Sequence, residues 1–259
     1  MSSGSAEWDA LADDFDAEVF DPTGTDLRGA VPRALRRVGR VGLAVDFGCG
    51  TGRLLPVLQR RADAVIGLDF APALLRAARH RIGATDRVTL RRADLGKPLR
   101  QPRGAGLVCC VNVLIGSDPR VHRAMLRNVR NLLAPGGHLL VIVPSLESAL
   151  WVNNRWIDMR ERDGLRGVRA LEGGIGTDPV AARDLLRGVV EQGGARTRHY
   201  LREELRTALR NQDLEPVFED RVEYPWSAYI EEPPRWLEAP LPWDWLVLAR
   251  RRELLSARR

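Results

Sequence analysis

"AVDFGCGTGRLL", Ala44 to Leu55, decides how the rest of the chain is read. An apolar run reaches an acid, Asp46; glycines then alternate at Gly48, Gly50 and Gly52, and a helix-like pattern begins. A strand that enters a helix through a glycine-rich turn brings backbone N–H groups up to a ligand at the strand's C-terminal end. Glycine is needed there where a side chain would strike the ligand or where φ must be positive. The spacing is GxGxG, not the GxGxxG of a pyrophosphate cradle. An acid two residues ahead of the turn repels a pyrophosphate and attracts an ammonium group. The stretch therefore predicts a ligand with a cationic amine and argues against a nicotinamide oxidoreductase.

Outward from this turn, short β-branched runs alternate with amphipathic helical stretches. "LAVDF", "AVIGLD", "VTLRRAD", "GLVCCVN" and "HLLVIVP" read as strands. "APALLRAARHRIG" reads as a helix with Pro72 in its first turn and Gly83 as its stop. "DPRVHRAMLRNVRNLLAPGG" reads as another, capped by Asp118 and closed by Pro135-Gly136-Gly137. Near-continuous apolar strands alternating with helices predict a parallel sheet covered on both faces, an α/β doubly wound fold. From residue 146 to 198 the rhythm changes. "ALWVNNRWIDMRERDGL" looks helical, "RALEGGIGT" reads as a loop, and "DPVAARDLLRGVVEQGG" reads as a helix from Asp178-Pro179 to a Gly193-Gly194 stop. No strand is expected there, so the segment is a helical cap insertion. The core rhythm returns with "REELRTALRNQDL" as helix and "EPVFEDRVEYPW" and "WDWLVLARR" as strands. The expected organisation is one domain: an N-terminal helical lid (1–40), a core (41–145), the cap (146–198) and the rest of the core (199–259).

The 259 residues are 44% hydrophobic and 29% charged, the balance of a soluble globular chain. No apolar run approaches the roughly 20 residues of a membrane span, and the acidic N-terminus lacks a signal pattern. A cytoplasmic location is expected. Three cysteines are too few for a disulfide framework, and Cys109-Cys110 sit inside a strand-like run. His80, His122, His138 and His199 lack ligand spacing, so no metal is expected. The net charge of +6 comes almost wholly from arginine, with Lys97 the sole lysine. Those arginines are scattered with few aromatics between them, which fits solvated helix faces better than a nucleic-acid interface.

Further polar residues fall at strand tips. Asp69 ends "AVIGLD", where a carboxylate accepts two hydrogen bonds from a ribose diol. Asp94 follows the third strand, placed to accept from an adenine amino group; taken alone, it is equally a cap or turn residue. Asn112 ends the fourth strand and reads either as a site residue or as a turn former. The ordered series Asp46, Gly48, Gly50, Gly52, Asp69, Asp94 and Pro135-Gly136-Gly137 resembles the class I (Rossmann-like) S-adenosylmethionine-dependent methyltransferases. The resemblance is strong over about residues 40–145 and loose over 199–250. It implies a mostly parallel seven-stranded sheet with an antiparallel last strand, and S-adenosyl-L-methionine as cofactor. It further implies that Asp69 holds the ribose with the adjoining Phe70 among the cofactor-binding residues, that the Leu95 N–H meets an adenine ring nitrogen, and that Asn112 lies beneath the methyl group.

Two departures blur the acceptor side. Gly106 stands where many relatives carry an acid entering strand four, and "VLIG", Val113 to Gly116, replaces the "VLEH" many of them carry. No [DN]PP[YFW] motif follows that strand, which argues against amino-group methylation of nucleobases by that route. Candidates facing an acceptor are Phe15 on an N-terminal helix with Trp8 and Leu11, and Trp151 and Trp156 in the cap; each also reads as packing. His199 and Tyr200, at the start of a late helix, are the candidate catalytic pair, His199 as a base because its ordinary pKa lies near neutrality. Glu147 and Asp158 are weaker candidates. The expected activity is methyl transfer to O or N of a small, partly apolar or aromatic molecule. The alternatives are a tRNA or protein acceptor, or an S-adenosylmethionine-binding partner subunit without turnover.

Overall fold

The computed structural model describes residues 21–253 apart from 23, 100, 178, 193 and 194. Phe15, Trp8 and Leu11, the Asp178 cap and the Gly193-Gly194 stop therefore lie outside the described residues. One seven-stranded sheet organises the molecule, in the order β3-β2-β1-β4-β5-β9-β8. Its members are β1 (Val41–Phe47), β2 (Ala62–Asp69), β3 (Val88–Arg92), β4 (Ala105–Val111), β5 (Leu133–Pro144), β8 (Leu214–Glu223) and β9 (Trp243–Arg251). The first five run parallel, and β9 is antiparallel to both β5 and β8. The doubly wound sheet and its antiparallel last strand are as expected.

Alternation along each strand explains why both faces are covered. Leu139, Val141 and Val143 of β5 join Trp243, Trp245 and Val247 of β9 in one core. Leu140, Ile142, Leu246 and Leu248 point to the other. The first core is closed by α4 (Pro119–Leu132) and α8 (Arg202–Arg210), through Leu126, Val129, Leu205 and Leu209. The second is closed by α1 (Ala30–Val38), α2 (Leu55–Gln59) and α3 (Pro72–Ile82), through Leu35, Leu58 and Ala78. The helix stops at α3 and the Asp118 cap are where the sequence puts them: Gly83 takes a positive φ, and Asp118 accepts from the Arg120 N–H. Pro135-Gly136-Gly137, read as a helix terminator, instead lies within β5, which begins directly after Leu132. A Cβ on Gly137 would stand 2.7 Å from the Ala105 carbonyl, so the two backbones meet where β4 and β5 shift register.

The cap departs from an all-helical reading. Helices α5 (Leu146–Arg162), α6 (Val168–Leu171) and α7 (Pro179–Leu185) are joined by a hairpin of β6 (Val189–Gln192) and β7 (Ala195–Arg198). The run "RGVVEQ" was expected to prolong a helix. Gly188, at φ 69, ends the helical path, and two β-branched valines then alternate into the strand, where Val189 pairs with Arg198. The first turn of "RALEGGIGT" is helical as well, as α6. Helix α5 also begins earlier than expected, because the Ser145 hydroxyl caps it by accepting from the Ser148 N–H.

Candidate functional site: the crevice between β1 and β4

Strands β1 and β4 are hydrogen-bonded neighbours, yet the chain leaves β1 toward β2 and returns to β4 only after β3. That reversal opens a crevice beyond their C-terminal ends, the usual ligand position in such sheets. The glycine turn sits at its rim. The Gly48 and Cys49 N–H groups both donate to the Leu68 carbonyl. Gly48, Gly50 and Gly52 all have positive φ. A Cβ on Gly48 would overlap the Val113 side chain, and one on Gly52 would lie 2.9 Å from Leu55 and 3.1 Å from Ala78. At these two positions the crowding comes from the protein itself, which brings the turn down onto the β4 loop and α3.

Two carboxylates lie in this turn. Asp69 is buried; its Oδ2 accepts from the Gly50 N–H at 2.9 Å and its Oδ1 from the Ala71 N–H at 3.0 Å. Asp46 is 3% exposed, and its carboxyl is pushed up to about 7, first by burial and then by the nearby Asp69 charge. Asn112 directly follows β4 at φ 52, with its Oδ1 buried and, among the described residues, without a hydrogen-bond partner. A buried acceptor in that condition costs about 1–3 kcal/mol unless a ligand donates to it. Asp46, Asp69 and Asn112 form an acceptor-rich wall, which suits an ammonium group and a ribose diol and opposes a pyrophosphate. S-adenosyl-L-methionine carries both of those donors, so the residues present fit it.

The remaining sequence-predicted residues fall as follows. Phe70 follows Asp69, and its carbonyl accepts from Arg92 Nε at 3.1 Å. Asp94 is exposed, accepting from the Gly96 N–H at 3.1 Å and paired with Lys97 Nζ at 3.0 Å. Leu95 is buried. The loop they share is clamped by Asn128 of α4, which sequence reasoning missed. Its amide donates to the Leu95 and Lys97 carbonyls at 2.8 and 2.7 Å and accepts from the Leu99 N–H at 3.2 Å. The available signal was an Asn on the same buried stripe as Leu126, Val129 and Leu132.

Tyr200 and His199 precede α8, outside the helix. Tyr200 forms a bridge with Ser145, and its N–H donates to the Pro144 carbonyl at 2.8 Å. Its phenol oxygen is hydrogen-bonded to Nδ1 of His122, on α4, at 2.6 Å. Burial raises the Tyr200 pKa and lowers that of His122 to about 4, so the pair is neutral at pH 7. His199 is buried with its pKa lowered by that burial. Its Nδ1 donates to the Thr197 carbonyl at 3.1 Å, which fixes the tautomer and leaves Nε2 with the lone pair. Neither cap tryptophan is without a structural partner: Trp151 Nε1 donates to the Pro240 carbonyl at 2.8 Å, while Arg160 covers the Trp156 ring at 4.6 Å. Glu147 accepts from Trp245 Nε1 at 3.0 Å and from the Arg202 N–H at 2.9 Å, and Asp158 pairs with Arg155. Asp244, at the start of β9, was also missed. It accepts from the Tyr224 hydroxyl at 2.7 Å and is pushed up to about 6 by burial.

Comparison with known proteins agrees with this geometry. Residues 44–137 match a family model described as a methyltransferase domain. The chain is 35% identical over 142 residues to a trans-aconitate 2-methyltransferase of Methylobacterium radiotolerans, covering 54% of this chain and 50% of that protein. It thus spans about half the length of the curated relatives first matched. Among solved structures it resembles the N-methyltransferase NodS of Bradyrhizobium japonicum in complex with S-adenosyl-L-homocysteine. That match has a TM-score of 0.60 at 15% identity, over 96% of this chain and 98% of that one. It also resembles the 1,6-didemethyltoxoflavin-N1-methyltransferase of Burkholderia thailandensis, with a TM-score of 0.57 at 18% identity, over 97% and 92%. Residues 44–137 thus match a methyltransferase domain, and the order and sense of the strands are those expected of the class I S-adenosylmethionine-dependent methyltransferases.

Proposed function

We propose that the chain transfers a methyl group from S-adenosyl-L-methionine to oxygen or nitrogen of a small, partly apolar or aromatic molecule. The observation that carries the cofactor half is the wall of Asp46, Asp69 and the unpartnered Asn112 Oδ1 around the glycine turn. Asp46 holds the amine, Asp69 beside Phe70 holds the ribose, and Asp94 with the Leu95 N–H receives the adenine. When bound, the cofactor supplies an activated methyl group on a sulfonium. The chain's own part is then to hold an acceptor at attacking distance, an effect that contributes on the order of 7–11 kcal/mol.

An acceptor that arrives protonated needs a base. His199 is proposed for that role, since its Nδ1–H is committed to Thr197 and Nε2 keeps its lone pair. Tyr200, its phenol committed to His122, positions that segment. The names of the relatives support a small acceptor: trans-aconitate in one and 1,6-didemethyltoxoflavin in another. A tRNA or protein acceptor is less well supported, because many arginines are already engaged one by one. Arg33 pairs with Asp220, Arg40 with Asp63 and Arg130 with Asp213, while Arg37 covers Phe218. The test is to follow S-adenosylhomocysteine formation across a panel of small acids, phenols and amines, with tRNA alongside. Product with a small acceptor supports the proposal; product with tRNA alone, or none anywhere, refutes it.

A further inference from the structure

A cavity of about 690 Å³ lies between the core and the cap, outside the residues assigned so far. Its floor comes from the loop after β4, through Ser117, and from Leu146 directly after β5; Val189 and Leu201 add apolar wall. It therefore opens at the same C-terminal edge of the sheet as the glycine turn. One loop joins the two places: Val113 presses on Gly48 at its start, and Ser117 lines the cavity near its end.

The charged lining is uneven. Three guanidinium groups, Arg187, Arg196 and Arg198, face two carboxylates, Asp184 and Glu204. Arg196 pairs with Asp184 and Arg198 with Glu204. Arg198 is fixed further by the His199 carbonyl and by lying over the Tyr200 ring, 4.8 Å from its centre. Arg187 is the remainder: among the described residues its guanidinium has no hydrogen bond or ion pair. One uncompensated positive charge beside an apolar wall matches a ligand with one carboxylate and an apolar body. A dianionic phosphate would leave a net negative charge in a half-enclosed site. A guanidinium also presents the planar fork that a carboxylate takes in bidentate fashion.

We infer that this cavity binds a carboxylate-bearing small molecule through Arg187, and that the acceptor of the proposed methyl transfer belongs to that class. The second clause rests on the methyltransferase reading; the first does not. The test titrates benzoate, phenylacetate and hexanoate into the full chain by calorimetry, each beside its uncharged amide, with inorganic phosphate as a further arm. At least one acid is expected to bind saturably and at least tenfold more tightly than its amide. Arg187→Gln is expected to abolish that preference and Arg187→Lys to retain part of it. Arg187 is exposed and unpaired, so both variants should fold as the parent does. Equal binding of acid and amide, no binding by any acid, preference for phosphate, or an unchanged Arg187→Gln variant would each overturn the inference. S-adenosylhomocysteine is titrated into the same samples. Its failure to bind would remove the methyltransferase reading and leave the cavity result to stand or fall alone.

Discussion

Asp46 and Asp69 end neighbouring strands, and the difference between them sets the ligand chemistry. Asp69 is stabilised by two backbone N–H donors, whereas burial and the Asp69 charge hold Asp46 near neutrality. An ammonium ligand binds only the ionised form of Asp46. S-adenosylhomocysteine affinity is therefore expected to rise from pH 6 to pH 8, and Asp46→Asn to bind weakly with no such rise; calorimetry at three pH values checks this. Stability has the opposite sign. A carboxyl raised from 3.8 to about 7 contributes stability that is fully present below pH 4 and is lost as pH rises through 7. The ligand-free melting temperature is accordingly expected to fall between pH 5 and 8, less steeply in Asp46→Asn. Asp69→Ala is expected to weaken S-adenosylhomocysteine binding by about 1.5–3 kcal/mol; unchanged affinity would remove Asp69 from the site. Both acids were legible in the sequence because each closes an apolar run. The His122–Tyr200 bond was not, since its partners are 78 residues apart and meet only through the fold.

At the scale of elements, the glycine turn is defined by what presses on it. Gly48→Ala places a methyl group against Val113 at φ 85, and about 1–3 kcal/mol of stability is expected to be lost in urea unfolding. Gly48→Ala/Val113→Ala is expected to recover the steric part only. Asn128→Ala leaves the Leu95 and Lys97 carbonyls and the Leu99 N–H without their partner. A loss of about 2–3 kcal/mol is expected, together with weaker binding at the adjoining Asp94–Leu95 loop. The strands and helices of the core could be read from periodicity because each is half or wholly buried by a repeating partner. Periodicity failed in the cap. There "LLRGVVEQ" continues an apolar pattern through a glycine whose positive φ turns the chain from helix to strand. It failed again at Pro135-Gly136-Gly137, where a close approach of two backbones looks, in sequence, like a helix stop.

At the scale of the whole molecule, the +6 charge is distributed over arginines whose partners lie on many elements. Arg202 and Arg206 share Glu219, Arg210 pairs with Glu215, and Arg162 lies over Trp236. Such a surface gives only unspecific attraction, so tRNA is expected to bind more weakly than about 1 µM at physiological salt; tighter, salt-resistant retention in a filter assay would contradict this. The cap is attached to the core in two places at once. The Arg198 N–H donates to the Ile115 carbonyl, and the Tyr200 N–H and the Leu146 N–H zip that strand end to β5. A flap anchored along two seams has no free hinge. Small molecules must then enter and leave past its rim while the cap keeps its seat. The amide protons of Arg198, Tyr200 and Leu146 should consequently trade with deuterium as slowly as those deep in β5, with or without ligand.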